Sequence, residues 1–449
     1  MKKPLLLLFS LLGTAALAQE HFSGINLSRR GGMLNASVNP AELTNLRTDY
    51  EVSVFNVSGN AANNKITFGD LVSGDNFDEK IFAGNDATNL RVDVEIQGPG
   101  FAMKVDKWAF AISSGAKVKA DLVDIDTNLG NALTNAGIDA ILGGPAIINT
   151  GYNQRATATS WGEIGLAAAR EIYNDEEHKF SGGVTFKLLF PGSYANMSAD
   201  RFRGTISRNG SQLELTNATA NVNIAYSGSL ADGFENSGNY TNFFAGGLNG
   251  FAADLGVNYQ WKDREVEGGY KLNAGLSVRN MGSMTFKDDN NVSTNYALAV
   301  GPNQSLNLNQ FESVDDLKEV EQILEQNDDV FTSTNTTKDF KVKLPTVFSI
   351  YADVKLHNNF YATVFTQQKL NEDNTNAQIS VQNIVTVTPR FSMDTFEAYL
   401  PLSQNEVSGF TAGLGFRFGG FFIGSGSALS AVVSDIDQAD AYIGFRVGF

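Results

Sequence analysis

Residues 440–449 read Asp440-Ala441-Tyr442-Ile443-Gly444-Phe445-Arg446-Val447-Gly448-Phe449. Ala441, Ile443, Phe445, Val447 and Phe449 fall on one side of an extended chain, and Tyr442, Gly444, Arg446 and Gly448 on the other. Successive side chains of a strand point to opposite faces, so one face here is wholly apolar and the other mostly small or polar. That pattern suits a wall with lipid on one side and a wet lumen on the other. A soluble β-sandwich also alternates, and the end of the chain breaks the tie. A sandwich stopping on Phe449 would leave a large apolar side chain at a position prone to fraying. In an outer-membrane barrel the aromatic end, preceded by Ile443, Phe445 and Val447, is the signal for insertion. The stretch therefore predicts an all-β protein, a closed antiparallel transmembrane barrel in which every backbone group finds a partner without water.

The same alternation recurs upstream. Phe410, Ala412, Leu414, Phe416 and Phe418 oppose Thr411, Gly413, Gly415 and Arg417. Further examples lie at 178–190, 251–261, 271–279 and 346–356. Extended segments are expected at 50–58, 91–106, 108–118, 157–173, 178–190, 194–208, 212–226, 250–261, 269–281, 344–356, 359–369, 377–388, 390–400, 407–418, 421–430 and 439–449. The barrel should thus have about 14–16 strands. Short turns are expected at Asp106-Lys107, Asn174 to Glu177, Arg208 to Ser211, Lys262 to Gly268, His357 to Asn359, near Pro389, and at Gly419-Gly420. The longer connections are 59–90, 119–156, 227–249 and 288–343. Outer-membrane barrels place short turns in the periplasm and long loops outside. Two long loops carry helical spacing: Val314, Leu317, Val320 and Leu324 within 312–327, and Leu122, Ile125, Leu129, Leu133, Ile138 and Leu142 within 121–142. Such stripes predict helices that cap their own loops.

Composition agrees with sheet anchored by aromatics. Gly (44), Phe (32) and Tyr (13) are abundant, Pro is scarce (9), and charged residues make up 18%. With no cysteine, disulfides, thiol catalysis and a lipid anchor are excluded. Net charge is −16, which argues against nucleic acid as a partner, because a phosphate backbone needs a basic footprint. Lys2, Lys3, the apolar stretch Leu5 to Leu17 and the small-residue site Ala16-Leu17-Ala18 read as a signal peptide cleaved after Ala18. The apolar stretch is shorter than the roughly 20 residues of a spanning helix. The expected location is the outer membrane of a Gram-negative bacterium, with membrane lipid and, during insertion, the barrel-assembly machinery as partners.

Charged residues on the polar faces are candidates for the lumen: Lys187, Asp254, Lys271, Arg279, Asp353, Lys355, Arg417 and Arg446. They either line a polar route or pair across a filled interior. The three histidines, His21, His178 and His357, suggest no catalytic constellation, since such groups must converge within hydrogen-bond reach. No enzyme activity, cofactor or metal is expected. Asp315-Asp316 and Asn327-Asp328-Asp329 are acidic enough for calcium but form no complete twelve-residue loop, and read as solvated helix ends.

Asn39-Pro40-Ala41, following Ser28-Arg29-Arg30-Gly31-Gly32, resembles the signature near the mature N-terminus of FadL-type channels. Trp161 to Leu166, Gly182 to Lys187, Asp254 to Tyr259, Leu344-Pro345-Thr346 and Gly413 to Phe416 resemble a Bacteroidota group of uncharacterised outer-membrane barrels distantly related to FadL. The resemblance implies fourteen strands, an N-terminal plug over residues 19–49, barrel residues 50–449, and a lateral route for hydrophobic compounds. It also admits barrels that serve protein secretion. The expected function is a passive channel or binding protein for small hydrophobic compounds. The alternative is a non-transporting barrel that acts as scaffold or partner in secretion or envelope assembly. A lateral gap backed by an apolar cavity would favour the first, and a closed wall around ion pairs the second.

Overall fold

The computed structural model describes residues 21–67, 69–70, 80–133, 144–228, 246–266, 268–287, 290–311, 314, 316–433 and 436–449. The leader expected over 1–18 lies outside them, as do Asp315 and the part of the expected helix beyond Leu133. No helix among the described residues is long and apolar enough to cross a membrane.

The alternating segments form strands. The chain begins with β1 (Tyr50–Asn63), β2 (Thr88–Gln97), β3 (Gly100–Val105), β4 (Trp108–Ile125), β5 (Ala146–Asn149), β6 (Asn153–Asn174), β7 (His178–Asn209) and β8 (Gln212–Ser227). It continues through β9 (Gly250–Asp263), β10 (Gly269–Phe286), β11 (Val292–Val300), β12 (Leu306–Asn307), β13 (Phe331–Thr337), β14 (Phe340–Lys343), β15 (Val347–His357) and β16 (Phe360–Lys369). Last come β17 (Ile384–Ser392), β18 (Phe396–Tyr399), β19 (Leu402–Asn405), β20 (Gly409–Ala412), β21 (Leu414–Phe418), β22 (Phe421–Ser425) and β23 (Gln438–Gly448). Antiparallel pairing runs round the wall in the order β1, β2 with β3, β4, β6, β7, β9, β10, β14 with β15, β16, β17, β18 with β19, β20 with β21, β22, β23, and back to β1. Among the described residues that is a closed ring of fourteen staves.

Two of the sixteen expected segments are not staves. β6 and β7 remain paired far beyond the wall, through Asn153 opposite Asp200. β7 loses β9 as a neighbour above Leu189 and gains β8 from Tyr194 onward. β8 then pairs with β11, and β11 with β13. The segments 194–208 and 212–226 thus build a sheet outside the barrel, with its own core of Leu213, Leu215, Val222, Ile224, Tyr296 and Leu298. The turn at Arg208 to Ser211 is the far tip of this extension rather than a periplasmic turn. Helix α3 (Leu317–Gln326) seals the core with Val320 and Leu324. Its Glu321 accepts hydrogen bonds from the Tyr226 and Tyr296 hydroxyls at 2.8 and 3.1 Å. Burial and that carboxylate together push both phenols up. The helix caps its own loop, as its stripe suggested.

Over 121–133, the described part of that stretch, the expected helix is only partly formed. Leu122 and Ile125 belong to β4, and only α2 (Thr127–Ala132) is helical, started by the Asp126 carboxylate accepting from Asn128 and Leu129 N–H. α1 (Met33–Ala36) precedes it in the chain, and α4 (Ala428–Val433) ends the series. Pro389 also departs from expectation: it sits inside β17 opposite Ala362, and the turn falls at 393–395, where Met393 N–H bonds Phe396 O. The other short turns lie at one end of the barrel. At one of them the Tyr173 hydroxyl and the His178 and Glu177 N–H groups hold Asp175 down at about 2, so this turn stays charged at any envelope pH.

The outward positions form an apolar belt that includes Val94, Val118, Leu166, Phe186, Leu255, Leu276 and Ile350, all exposed. At the short-turn rim it ends in aromatics, among them Tyr50, Trp108, Phe180, Trp261 and Phe360, the girdle of a transmembrane barrel. Phe449 joins it, stacked on Tyr50 at 5.8 Å and bonded to the Tyr50 backbone in both directions. Phe445 and Val447 face out and Ile443 is half-buried beside them, while Arg446 turns inward to Glu51 at 3.0 Å.

Arg introduced on the lipid face should cost by depth, about 2–4 kcal/mol at the midplane and 0–1 near an interface. Leu255→Arg, mid-strand in β9, is expected to abolish the heat-modifiable folded band, and Val447→Arg, two residues from the rim, to weaken it less. Arg446→Leu should still insert. Equal folding of Leu255→Arg and wild type would show the register to be wrong.

Candidate functional site

Residues 21–49 lie inside the ring. Asn39 starts a short 3-10 helix, Pro40–Asn45, by accepting from Ala41 N–H, and Pro40 occupies its first turn. Pro is suited to that place because it fixes φ and has no N–H to lose. The motif rests where three neighbouring staves present glycine. A Cβ on Gly183 would stand 2.5 Å from Ala41 N, one on Gly256 1.9 Å from Asn39 Oδ1, and one on Gly275 2.6 Å from Asn39 Nδ2. The wall is stripped of side chains there, so that Gly183 meets the Pro40–Ala41 backbone and Gly256 and Gly275 make room for the Asn39 carboxamide. Asn39 Nδ2 then donates to Val257 O at 2.9 Å and to the Tyr351 hydroxyl at 3.1 Å.

Glu42 follows on the same turn, buried. Its Oε1 accepts from Asn258 and Asn273, both at 2.9 Å, and from the Tyr351 hydroxyl, while Oε2 accepts from Asn45 at 2.7 Å. Several donors on one carboxylate are what a buried charge requires. Elsewhere the segment is tied by Ser28 to Glu397 (2.8 Å), Met33 N–H to Glu51 (2.7 Å), Thr44 to Ser181 (2.8 Å) and Tyr442 to Ser23 O (2.6 Å). Phe22 packs edge-on against Phe422 and Tyr442, and Leu43 and Leu46 against Ala102, Ala109 and Ala169.

Beyond the segment lies a cavity of about 170 Å³, whose apolar lining includes Met33, Val38, Pro345, Phe365 and Val381. That is space for on the order of ten waters or one small molecule. Its wall is a run of ion pairs: Lys117 with Glu95 (3.5 Å) and Glu163 (3.6 Å), Lys119 with Asp93 (2.6 Å), and Lys187 with Asp254 (2.8 Å). Buried pairs of this kind contribute little net stability but are costly to break singly. The outer end is closed by an apolar cluster, including Trp161, Tyr194, Phe286, Phe340 and Ile379. Ile379 belongs to the loop after β16, which turns into the mouth. Arg155, fully buried, fastens that loop through the carbonyls of Asp373 (2.9 Å), Gln378 (2.7 Å) and Thr375.

The wall beside this cavity is interrupted. β1 pairs with β3 up to Ser53 opposite Gly100 and resumes with β2 at Asn56 opposite Gln97. Val54 and Phe55 therefore face Gly98 and Pro99 without ladder pairing, and β1 also shifts register against β23 between Ser53 and Phe55. Pro99 has no N–H to give, and its carbonyl is met from the side by Ser114 Oγ at 3.0 Å. Ser53, Asn56, Gln97, Gly98 and Gly100 all border the cavity. Irregular backbone at membrane depth is tolerated where it lines protein or a wet space.

The sequence-derived lumen candidates fall into three groups. Lys187, Asp254 and Arg279 border the cavity, with Arg279 bonded to Gln367 (2.6 Å) and Ser37 O (2.9 Å). Asp353, Lys355, Arg417 and Arg446 point inward but lie away from the cavity, paired with Arg390, Asp263, Glu397 and Glu51 respectively. Lys271 does not face the lumen. A bulge between Tyr270 and Leu272 re-aims it, and its Nζ lies 5.2 Å over the exposed Trp261 ring. Five further charges border the cavity, Asp93, Glu95, Lys117, Lys119 and Glu163, and the sequence reading missed them, although period two carried through β2, β4 and β6 would have marked them. Glu42 and Arg155 had no such signal. No group of acidic or histidine side chains suited to a metal occurs among the described residues.

Fold and interior define a transmembrane β-barrel with an occupied lumen and one weakened seam. The chain belongs to the family of unknown function DUF5723, whose profile matches residues 40–426. No curated protein matches it in sequence. Among solved structures it is similar to a deletion mutant of the monoaromatic hydrocarbon channel TodX (9% identity, 97% of each chain, TM-score 0.46). Others are the P. putida toluene transporter TodX (10%, 92% of this chain and 94% of that one, TM-score 0.44) and a Pseudomonas aeruginosa FadL homologue (8%, 96% and 98%, TM-score 0.42). At these identities and scores the likeness says nothing about cargo.

Gly183→Val would push a branched side chain into the Pro40–Ala41 backbone, and overpacking of this kind costs about 1–3 kcal/mol. The barrel is expected to keep its heat-modifiable mobility while trypsin gains access to Arg29 and Arg30. Protection equal to wild type would remove the glycine seat as the anchor of the segment.

Proposed function

We propose that the protein is an outer-membrane channel or binding protein for small hydrophobic compounds, which pass between lumen and bilayer through the side of the wall. In this reading residues 1–18 are removed after Ala18, the barrel-assembly machinery inserts the chain, and residues 19–49 act as the plug. The observation that carries it is the unpaired stretch of Val54-Phe55 against Gly98-Pro99, directly beside the inner cavity. With the segment on one side of that cavity and the Arg155-held loop on the other, the seam is the shortest way between cavity and lipid. The cavity wall is charged rather than apolar, so a cargo with a polar group on an apolar body fits it better than a pure hydrocarbon.

The paired lumen also favours the second reading, a scaffold in secretion or envelope assembly, because a transported molecule has no need of so many fixed ions. The two separate on one experiment. The chain has no cysteine, so Val54→Cys with Pro99→Cys, bridged by oxidation or a short bis-maleimide, closes the seam alone. In proteoliposomes, uptake of a small aromatic amphiphile should fall to background when bridged and return when an oxidised pair is reduced. Uptake indifferent to the bridge, or absent from wild type, would leave the scaffold reading.

Deletion of residues 19–49 supplies a second check. The ladder starts at Tyr50, so the barrel should still assemble, with higher conductance in planar bilayers. Unchanged conductance of the folded deletion variant would count against a plug.

A further inference from the structure

Outside the barrel, a second cavity of about 420 Å³ lies between the start of β6, the polar face of the β7–β8–β11 sheet and the loop after β16. Small-molecule sites span roughly 300–1,000 Å³ but are usually apolar. This one is lined by Asn153, Asn221, Asn223, Asn295, Asn374 and Asn376. No Lys or Arg lines it, and its one carboxylate, Asp200, is engaged by Arg201 at 3.0 Å. Neither an anion nor a cation finds its counter-charge here.

The amides are held in place. Asn153 Nδ2 donates to Asn374 O at 2.7 Å and Asn376 Oδ1 at 2.9 Å, and Asn223 Nδ2 to Asn295 Oδ1 at 2.9 Å. Asn153 is only 9% exposed, yet its Oδ1 has no hydrogen-bond partner. That oxygen is itself shut off from solvent, and the carboxamides open to a ligand are those of Asn221, exposed, and of Asn374 and Asn376, half-exposed. Each carboxamide both donates and accepts, as does each hydroxyl of a sugar. Tyr152, at the rim and 36% exposed, supplies a ring face for the C–H side of a pyranose.

We propose that this cavity binds a neutral saccharide at the outer face, from a soluble glycan or from the carbohydrate chain of neighbouring lipopolysaccharide. The site is separate from the seam and the inner cavity, so it stands whether or not the channel reading does.

Saturation-transfer NMR on the full chain in detergent, with maltose, lactose and chitobiose as soluble probes and a glucuronate disaccharide as charged control, tests it. Lipopolysaccharide with and without a neutral outer chain tests the other source. Transfer from a neutral probe or from the chain-bearing lipopolysaccharide, but not from the glucuronate, is the expected result. Asn223→Ala and the more exposed Asn376→Ala should each weaken it about tenfold, the worth of a hydrogen bond or two, with heat-modifiable mobility kept. No transfer from any neutral probe or lipopolysaccharide, transfer only from the charged control, or equal transfer in the folded Asn376→Ala variant would each overturn the proposal and leave a water-filled notch.

Discussion

In hydrocarbon a peptide group has no solvent to bond, so each stave must satisfy its neighbours and the last must satisfy the first. The rest of this structure depends on that constraint. It explains why β23 returns to β1 along nearly its whole length, and why departures from the ladder are few and answered locally. At the bulge after Arg279, Asn280 takes a positive φ of 59° and is bonded through its N–H to Asp254 and through its side chain to Lys187. At Gly98-Pro99 the answer comes from Ser114 on β4, whose carbonyl takes the Gly98 N–H at 2.9 Å and whose hydroxyl meets the Pro99 carbonyl at 3.0 Å, and not from β1. The uneven repair of two irregularities, rather than their presence, marks one seam as different.

The interior obeys a related rule. A closed ring of this size encloses more polar positions than it has water to serve, so charges are paired and carboxylates surrounded by donors. Arg390 and Asp353, both fully buried at 2.7 Å, and Glu397 between Arg417 and Ser28 show the pattern at one level, and the Lys117 and Lys119 pairs repeat it higher up. Residues 21–49 supply donors and acceptors that the staves alone lack. They are a structural component of the lumen as well as an obstacle in it.

Much of this was legible. Alternation gave the staves, their faces and the aromatic rim, and most of the expected short connections do lie together at one end of the barrel. What failed did so for identifiable reasons. Leu213, Leu215, Ala220, Val222 and Ile224 alternate in the same way whether their apolar face meets lipid or a protein core, so β8 and the end of β7 read as staves. Period two cannot register a bulge, and one residue of slip turned Lys271 from lumen to rim. Leu122 and Ile125 fit a helical spacing by chance within a strand. The Asn39 motif was visible as a resemblance, but its seat was not. Gly183, Gly256 and Gly275 lie on three strands, and only the pairings of β7 with β9 and of β9 with β10 bring them together.

The inner segment has a bearing on the order of assembly. It precedes β1 in the chain, yet it touches staves all round the ring, from Phe101's neighbour Ala102 to Tyr442 near the end. A finished ring would have to admit it through an opening already filled. The simpler course is for the sheet to wrap round it as a mandrel, with the junction of β1 and β23 the last to zip. On that course the Phe449 strand does two jobs at once. It closes the wall, and it locks the earliest part of the chain inside.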